Sequence, residues 1–239
     1  MARIPEHFYF GGVSSRDYGI YLTDAIEIAG AQPNMDKITV PGRNGDLIRY
    51  DGSYQNIEFA AKCFIKSSGG VSAERALSAA KGWLTQEKGY RRLELPWEDG
   101  YRLAYVAVPP GTEALGPDLR TFSVSFSCKP QVYTYEGEQS ITLTSAADLY
   151  NSGMPALPLI TLYGNGSGTL TVGDTVVTIK AMSGSLTLDC DLQDAYQGTE
   201  NKNSSISAPS FPVLETGDNI ISFTGGVNRV EIVPRWWHL

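Results

Sequence analysis

Histidine is nearly missing: the 239 residues hold two, His7 and His238, one near each end. Histidine-built metal centres need several at ligand spacing, and a nucleophilic serine or cysteine needs a base beside it. Neither histidine lies in such a pattern, so no catalytic residue, cofactor or metal site is predicted. Cysteine is scarce as well. Cys63, Cys128 and Cys190 are odd in number and far apart, which excludes a disulfide framework. All three lie in strand-like runs and read as small buried hydrophobes from a reducing compartment. No apolar run approaches the roughly 20 residues of a membrane-spanning helix. The opening MARIPEHFYF lacks the apolar core of a secretion signal, so neither span nor signal is expected.

Positive charge is scarce in only one half. Residues 1–133 hold fifteen Lys/Arg and fifteen Asp/Glu; residues 134–239 hold four against eleven, which is the whole net charge of −7. This break predicts two domains, 1–133 and 134–239, in different surroundings. A half so poor in basic residues is unsuited to nucleic acid, which needs cations against its phosphates.

Ile57, Phe59, Ala61, Cys63 and Ile65 alternate with Glu58, Ala60, Lys62 and Phe64. Phe122, Val124, Phe126 and Cys128 alternate with Thr121, Ser123, Ser125 and Ser127. Both runs are half-buried strands, the second with one apolar and one hydroxyl face. Tyr101 to Val108 is a third strand. One segment has a different period: Ala73, Ala76, Leu77, Ala80, Trp83 and Leu84 recur at helical spacing, with Ser72 to cap the start and Gly89 to take a left-handed end. The first half is therefore a sheet or barrel with one helix. Beyond residue 134, short strands at Leu159–Tyr163, Gly168–Val172, Val176–Lys180, Leu186–Cys190, Asn219–Phe223 and Val230–Val233 alternate with glycine turns, the pattern of a β-sandwich. Gly164, Gly166 and Gly168 read as a hairpin turn, not as a phosphate loop, because a strand follows them. Residues 197–210 read as a long polar loop. If Leu188, Cys190 and Leu192 point inward, Asp189 and Asp191 face water, and with Asp194 they lack the spacing of a calcium loop. Pro234 ends the last strand, and at least one of Trp236 and Trp237 is expected to pack on the fold or a partner.

Val40-Pro41-Gly42-Arg43-Asn44-Gly45-Asp46-Leu47 is the most specific segment. Asn44-Gly45 suits a type I′ hairpin between Lys37–Val40 and Leu47–Tyr50. The hairpin is either plain surface or a projecting element whose Arg43, Asn44 and Asp46 meet a neighbouring copy.

Several segments, taken in order, resemble the distal tail protein (Dit) family of long-tailed bacteriophages. They are Phe8-Tyr9-Phe10-Gly11-Gly12 with Tyr18-Gly19-Ile20, the hairpin segment, Trp83-Leu84 with Tyr90, and Pro158 to Gly164. The run from Asp189 to Tyr196, Phe211-Pro212-Val213-Leu214, Gly217-Asp218-Asn219 and Pro234-Arg235-Trp236-Trp237 complete the series. The resemblance implies a mainly β protein: a tail-tube-like N-terminal β domain with one helix, and a galectin-like C-terminal β-sandwich. It implies a structural, non-enzymatic role as a hexameric hub ring in the virion tail, assembled in the host cytoplasm. The ring would join the tail tube protein to tail-tip proteins and a receptor-binding protein, with DNA passing through its channel without specific binding. A ring of identical subunits closes through heterologous contacts, and Arg43, Asn44 and Asp46 are assigned to them. Three other readings compete. A carbohydrate-binding adhesin of the tail tip lacks a visible aromatic platform with converging polar groups. A glycosidase would need a carboxylate pair that the sequence does not single out. Another tail component with a related fold is disfavoured by the charge split and the full-length match.

Overall fold

The computed structural model describes residues 6–24, 26–66, 69–108, 111–114 and 118–239. The expected absence of a secretion signal rests partly on residues 1–5, which lie outside them. The chain divides into two compact units, residues 1–132 with Leu239 and Tyr133–His238.

The first unit carries β1 (Tyr9–Phe10), β2 (Val13–Ser14), β3 (Ile20–Leu22), β4 (Pro33–Thr39), β5 (Asp46–Tyr54) and β6 (Ile57–Lys66). Helix α1 (Ala73–Gln86) follows, then β7 (Arg91–Glu94), β8 (Arg102–Val108), β9 (Thr112–Ala114) and β10 (Leu119–Cys128). The main sheet is antiparallel, in the order β2-β1-β7-β8-β10-β6-β3, with β9 also on β10. Period-two patterning sets its register: Phe126 lies opposite Phe59, Val124 opposite Ala61 and Phe122 opposite Cys63. A slip of one residue would turn all of these to solvent. The Ser72 hydroxyl accepts from the Arg75 N–H at 3.3 Å and caps α1. The helix ends at Gln86 with Glu87 extended, so Gly89 (φ +106°) lies beyond its end and is not its cap. α1 buries Ala73, Leu77, Ala80, Trp83 and Leu84. Its Trp83 meets Phe8 and Phe10, which also touch Phe126, with centroids 5.5–6.2 Å apart. Burying each of these large side chains contributes about 1.5–3 kcal/mol.

Strand β11 (Val132–Tyr133) leads into the second unit. There follow β12 (Ile141–Leu143), β13 (Ala147–Asn151), β14 (Leu159–Val172), β15 (Thr175–Asp189), β16 (Asp194–Gln197), β17 (Glu200–Asn201), β18 (Ile206–Ser207), β19 (Gly217–Val233) and β20 (Trp237–His238). The sheet order is β12-β19-β14-β15-β16-β17, with β13 on β19 and β18 on β15. Three long strands, β14, β15 and β19, thus take the place of the six short ones expected.

The glycine run at 164–168 is not a hairpin turn. It lies inside β14 as a register shift against both neighbours. The real turn is Gly173-Asp174, which joins Val172 to its partner Thr175, with Gly173 at φ +53°. What Gly164 and Gly168 supply is closeness. A Cβ on Gly164 would fall 1.9 Å from the Gly226 carbonyl oxygen, and one on Gly226 the same distance from that of Asn165. The expected polar loop at 197–210 is also partly regular, containing β17 and β18, with Asn203 Oδ1 accepting from the Ala195 N–H at 2.6 Å. Trp236 and Trp237 pack against the second core, and Trp237 Nε1 donates to the Pro155 carbonyl at 3.0 Å.

Candidate interaction surface

β4 and β5 stand apart from the rest of the sequence pattern. They pair with each other and, among the described residues, with no other strand. The register places Met35 opposite Tyr50, Asp36 opposite Arg49, Lys37 opposite Ile48, Ile38 opposite Leu47 and Thr39 opposite Asp46. Directly opposed residues share a face. One face therefore carries Met35, Tyr50, Lys37 and Ile48, and the other Ile38, Leu47 and the Asp36–Arg49 ion pair at 3.4 Å. Both faces are open to solvent: Leu47 is 45% exposed and Ile48 60% exposed. An isolated two-stranded hairpin is marginal in water, and one that exposes apolar groups on both faces and along two strand edges is a contact surface or an aggregation hazard.

The tip differs from the type I′ turn expected at Asn44-Gly45. Six residues, 40–45, connect the strands. The Arg43 N–H bonds to the Val40 carbonyl at 3.1 Å, and Gly42 has φ +80°. Proline at the second place and left-handed glycine at the third make this a type II turn, which pre-empts the Asn44-Gly45 alternative. Arg43, Asn44 and Asp46 are brought together here and all are exposed. Asp46 already accepts a bond from the Thr39 hydroxyl at 2.9 Å, whereas Arg43 has no ion-pair partner among the described residues. Sequence reasoning found this tip but missed the apolar stem. The signal was present in Leu47-Ile48: two consecutive aliphatics break strict alternation and point to a strand that needs cover on both faces.

Elsewhere the polar clusters are structural. Asp189 does not face water; its side chain is 7% exposed. It accepts two bonds from the Arg235 guanidinium, at 2.8 and 3.1 Å, and two from the N–H groups of Asp191 and Leu192. Leu192, expected inside, is exposed instead. Burial pushes the Asp189 carboxyl up, but the Arg235 hydrogen bond and charge together with the backbone donors more than offset it, so it lies below its ordinary range. Burial pushes each of the thiols of Cys63, Cys128 and Cys190 up to about 12, which leaves them unreactive. Among the described residues no group of His, Cys, Asp and Glu is placed to hold a metal ion, and no helix is long and apolar enough to cross a membrane.

No model of a known protein family matches the chain, and no curated protein does. Among solved structures, it is similar to the crystal structure of the Dit protein (gp 19.1) of SPP1, described as a paradigm of the hub adsorption apparatus in phages infecting Gram-positive hosts. The TM-score is 0.73 at 12% identity, over 99% of this chain and 100% of that one. At that identity the likeness is one of architecture, and it runs from end to end: this chain has the mainly β fold of the SPP1 Dit protein.

Proposed function

We propose that the chain is a structural protein of a bacteriophage tail, the hub that joins the tail tube to the tail tip. The observation that carries this reading is the full-length fold likeness to an adsorption hub. The hairpin supports it, because a monomer would leave β4 and β5 uncovered on both faces. In this reading six copies close into a ring through heterologous contacts, and each hairpin lies against the next copy with Arg43, Asn44 and Asp46 in or near the contact. The second unit, acidic and galectin-like, lies at the ring's periphery and anchors host-adsorption components. The tail tube protein and a tail-tip protein bind the two ring faces, and DNA passes through the channel. A sugar-binding role is not favoured: Trp236 and Trp237 pack on the core and so give no stacking platform.

The test is the mass of the purified protein by light scattering, with electron-microscope views along the particle axis. Six-fold rings are expected, and a strict monomer at every concentration would defeat the reading. Arg43→Glu should weaken the ring. An unchanged mass would remove Arg43 from the contact without touching the hub assignment.

A further inference from the structure

A second surface, in the first unit and unrelated to the hairpin, has its own unmatched chemistry. A groove of about 730 Å³ runs between the 3-10 turn Ser15–Tyr18, the end of β6 and the outer side of α1. Its volume falls within the range of ligand clefts, well beyond a single small ion. Tyr18 forms one wall and lies flat on the buried Trp83, with centroids 4.7 Å apart and planes 7° from parallel, so this wall is rigid. Ala76 and Ala79 of α1 open the groove by being small, and Val71 is exposed at its margin. Three cations from three elements line it: Arg16, Lys66 and Arg75.

None of the three has an ion-pair partner among the described residues. In the same unit Arg49 pairs with Asp36, Arg91 with Glu87, Arg92 with Glu94, Arg102 with Glu98 and Arg120 with Glu74. Arg16 and Arg75, like Arg43 at the hairpin tip, depart from this pattern, and these two line one groove with Lys66, in a chain of net charge −7. We propose that the groove seats an acidic, partly apolar peptide segment of a partner protein, whose carboxylates meet Arg16, Lys66 and Arg75 while its apolar side chains lie on Tyr18, Val71, Ala76 and Ala79. Guanidinium groups suit carboxylates because they offer a planar fork of donors. Asp17, also in the lining, repels carboxylate and phosphate alike at its own end of the groove; the apolar half of the wall is what favours a peptide, because it would be wasted on a continuous phosphate backbone. The assignment stands whether or not the chain forms a ring.

The probe is a labelled octapeptide of alternating glutamate and leucine, followed by fluorescence polarisation on the full chain. Saturable binding that weakens with salt is expected. Replacing every glutamate by glutamine, or introducing Arg16→Glu with Arg75→Glu, should each weaken it by roughly tenfold or more, since reversal turns attraction into repulsion. Ala79→Leu, which fills the groove without altering charge, should weaken it too. Unchanged tryptophan emission and urea midpoint establish that the variants are folded. The proposal is overturned if the peptide fails to bind, if the glutamine version binds equally, or if the double reversal changes nothing. Tighter binding of a short DNA duplex at the same residues would overturn it in favour of nucleic acid.

Discussion

Removing the carboxylate of Asp189 tests how the second unit holds its last residues. Asp189 is the final residue of β15 and is almost wholly buried, and Arg235 clamps it with two bonds at 2.8 and 3.1 Å. Arg235 is 29% exposed at its side chain and sits at φ +58°, a conformation that costs an L-residue roughly 1–2 kcal/mol. The clamp offsets that strain. Asp189→Ala should cost about 3–5 kcal/mol, the usual loss on breaking a buried pair. Arg235→Ala should cost less, about 1.5–3 kcal/mol, because the Asp191 and Leu192 N–H groups still bond the carboxylate, while the left-handed backbone strain is the same with alanine. The double variant should show a coupling of about 1–3 kcal/mol. Urea unfolding followed by tryptophan emission reads all three, since Trp236 and Trp237 adjoin the clamp. The sign with pH follows from the lowered carboxyl. Its stabilisation is complete above the unfolded value, about pH 4, and disappears as pH falls through the lower folded value. The gap between the parent and Asp189→Asn should therefore be full at pH 7 and shrink below about pH 4. A loss under about 1 kcal/mol for Asp189→Ala, zero coupling, or a gap that does not change with pH would refute the reasoning.

Gly226→Ala should destabilise the second unit by about 3 kcal/mol or more, because its Cβ would meet the Asn165 carbonyl, a backbone group that cannot rotate away. Gly30→Ala, with nothing within 4 Å of the added carbon, is the control, and thermal unfolding should find it nearly neutral. Leu47→Asp and Ile48→Asp, one on each hairpin face, should each change unfolding stability by less than about 0.5 kcal/mol and each reduce self-association by light scattering. If either leaves the assembled mass intact, that face of the hairpin is not covered.

Strands β6 and β10 were legible because one buried face imposes strict alternation, and Ile57 to Ile65 and Phe122 to Cys128 obey it. Helix α1 was legible from its spacing and from Ser72. Legibility failed where one residue type serves two purposes. Gly164 to Gly168 could mark a turn or a close approach, and only the position of Gly226 on the neighbouring strand distinguishes them. Asp189 follows the alternation of β15 in sequence, yet its environment is set by Arg235, 46 residues later. At the hairpin tip two turn signals compete, and the proline of Val40-Pro41-Gly42-Arg43 settles it by fixing a backbone angle that a type II turn already needs.

The sequence by itself determined the two-part division of charge, the strand periods, the single helical period and the lack of any catalytic pattern, since all of these depend on neighbours a few residues apart. Tertiary structure alone decided which glycines bring strands together, which carboxylate is buried and that β4 and β5 expose apolar groups on both faces. Those outcomes depend on groups far apart in the chain, and burial, approach distance and pairing take values only once folding has made such groups adjacent.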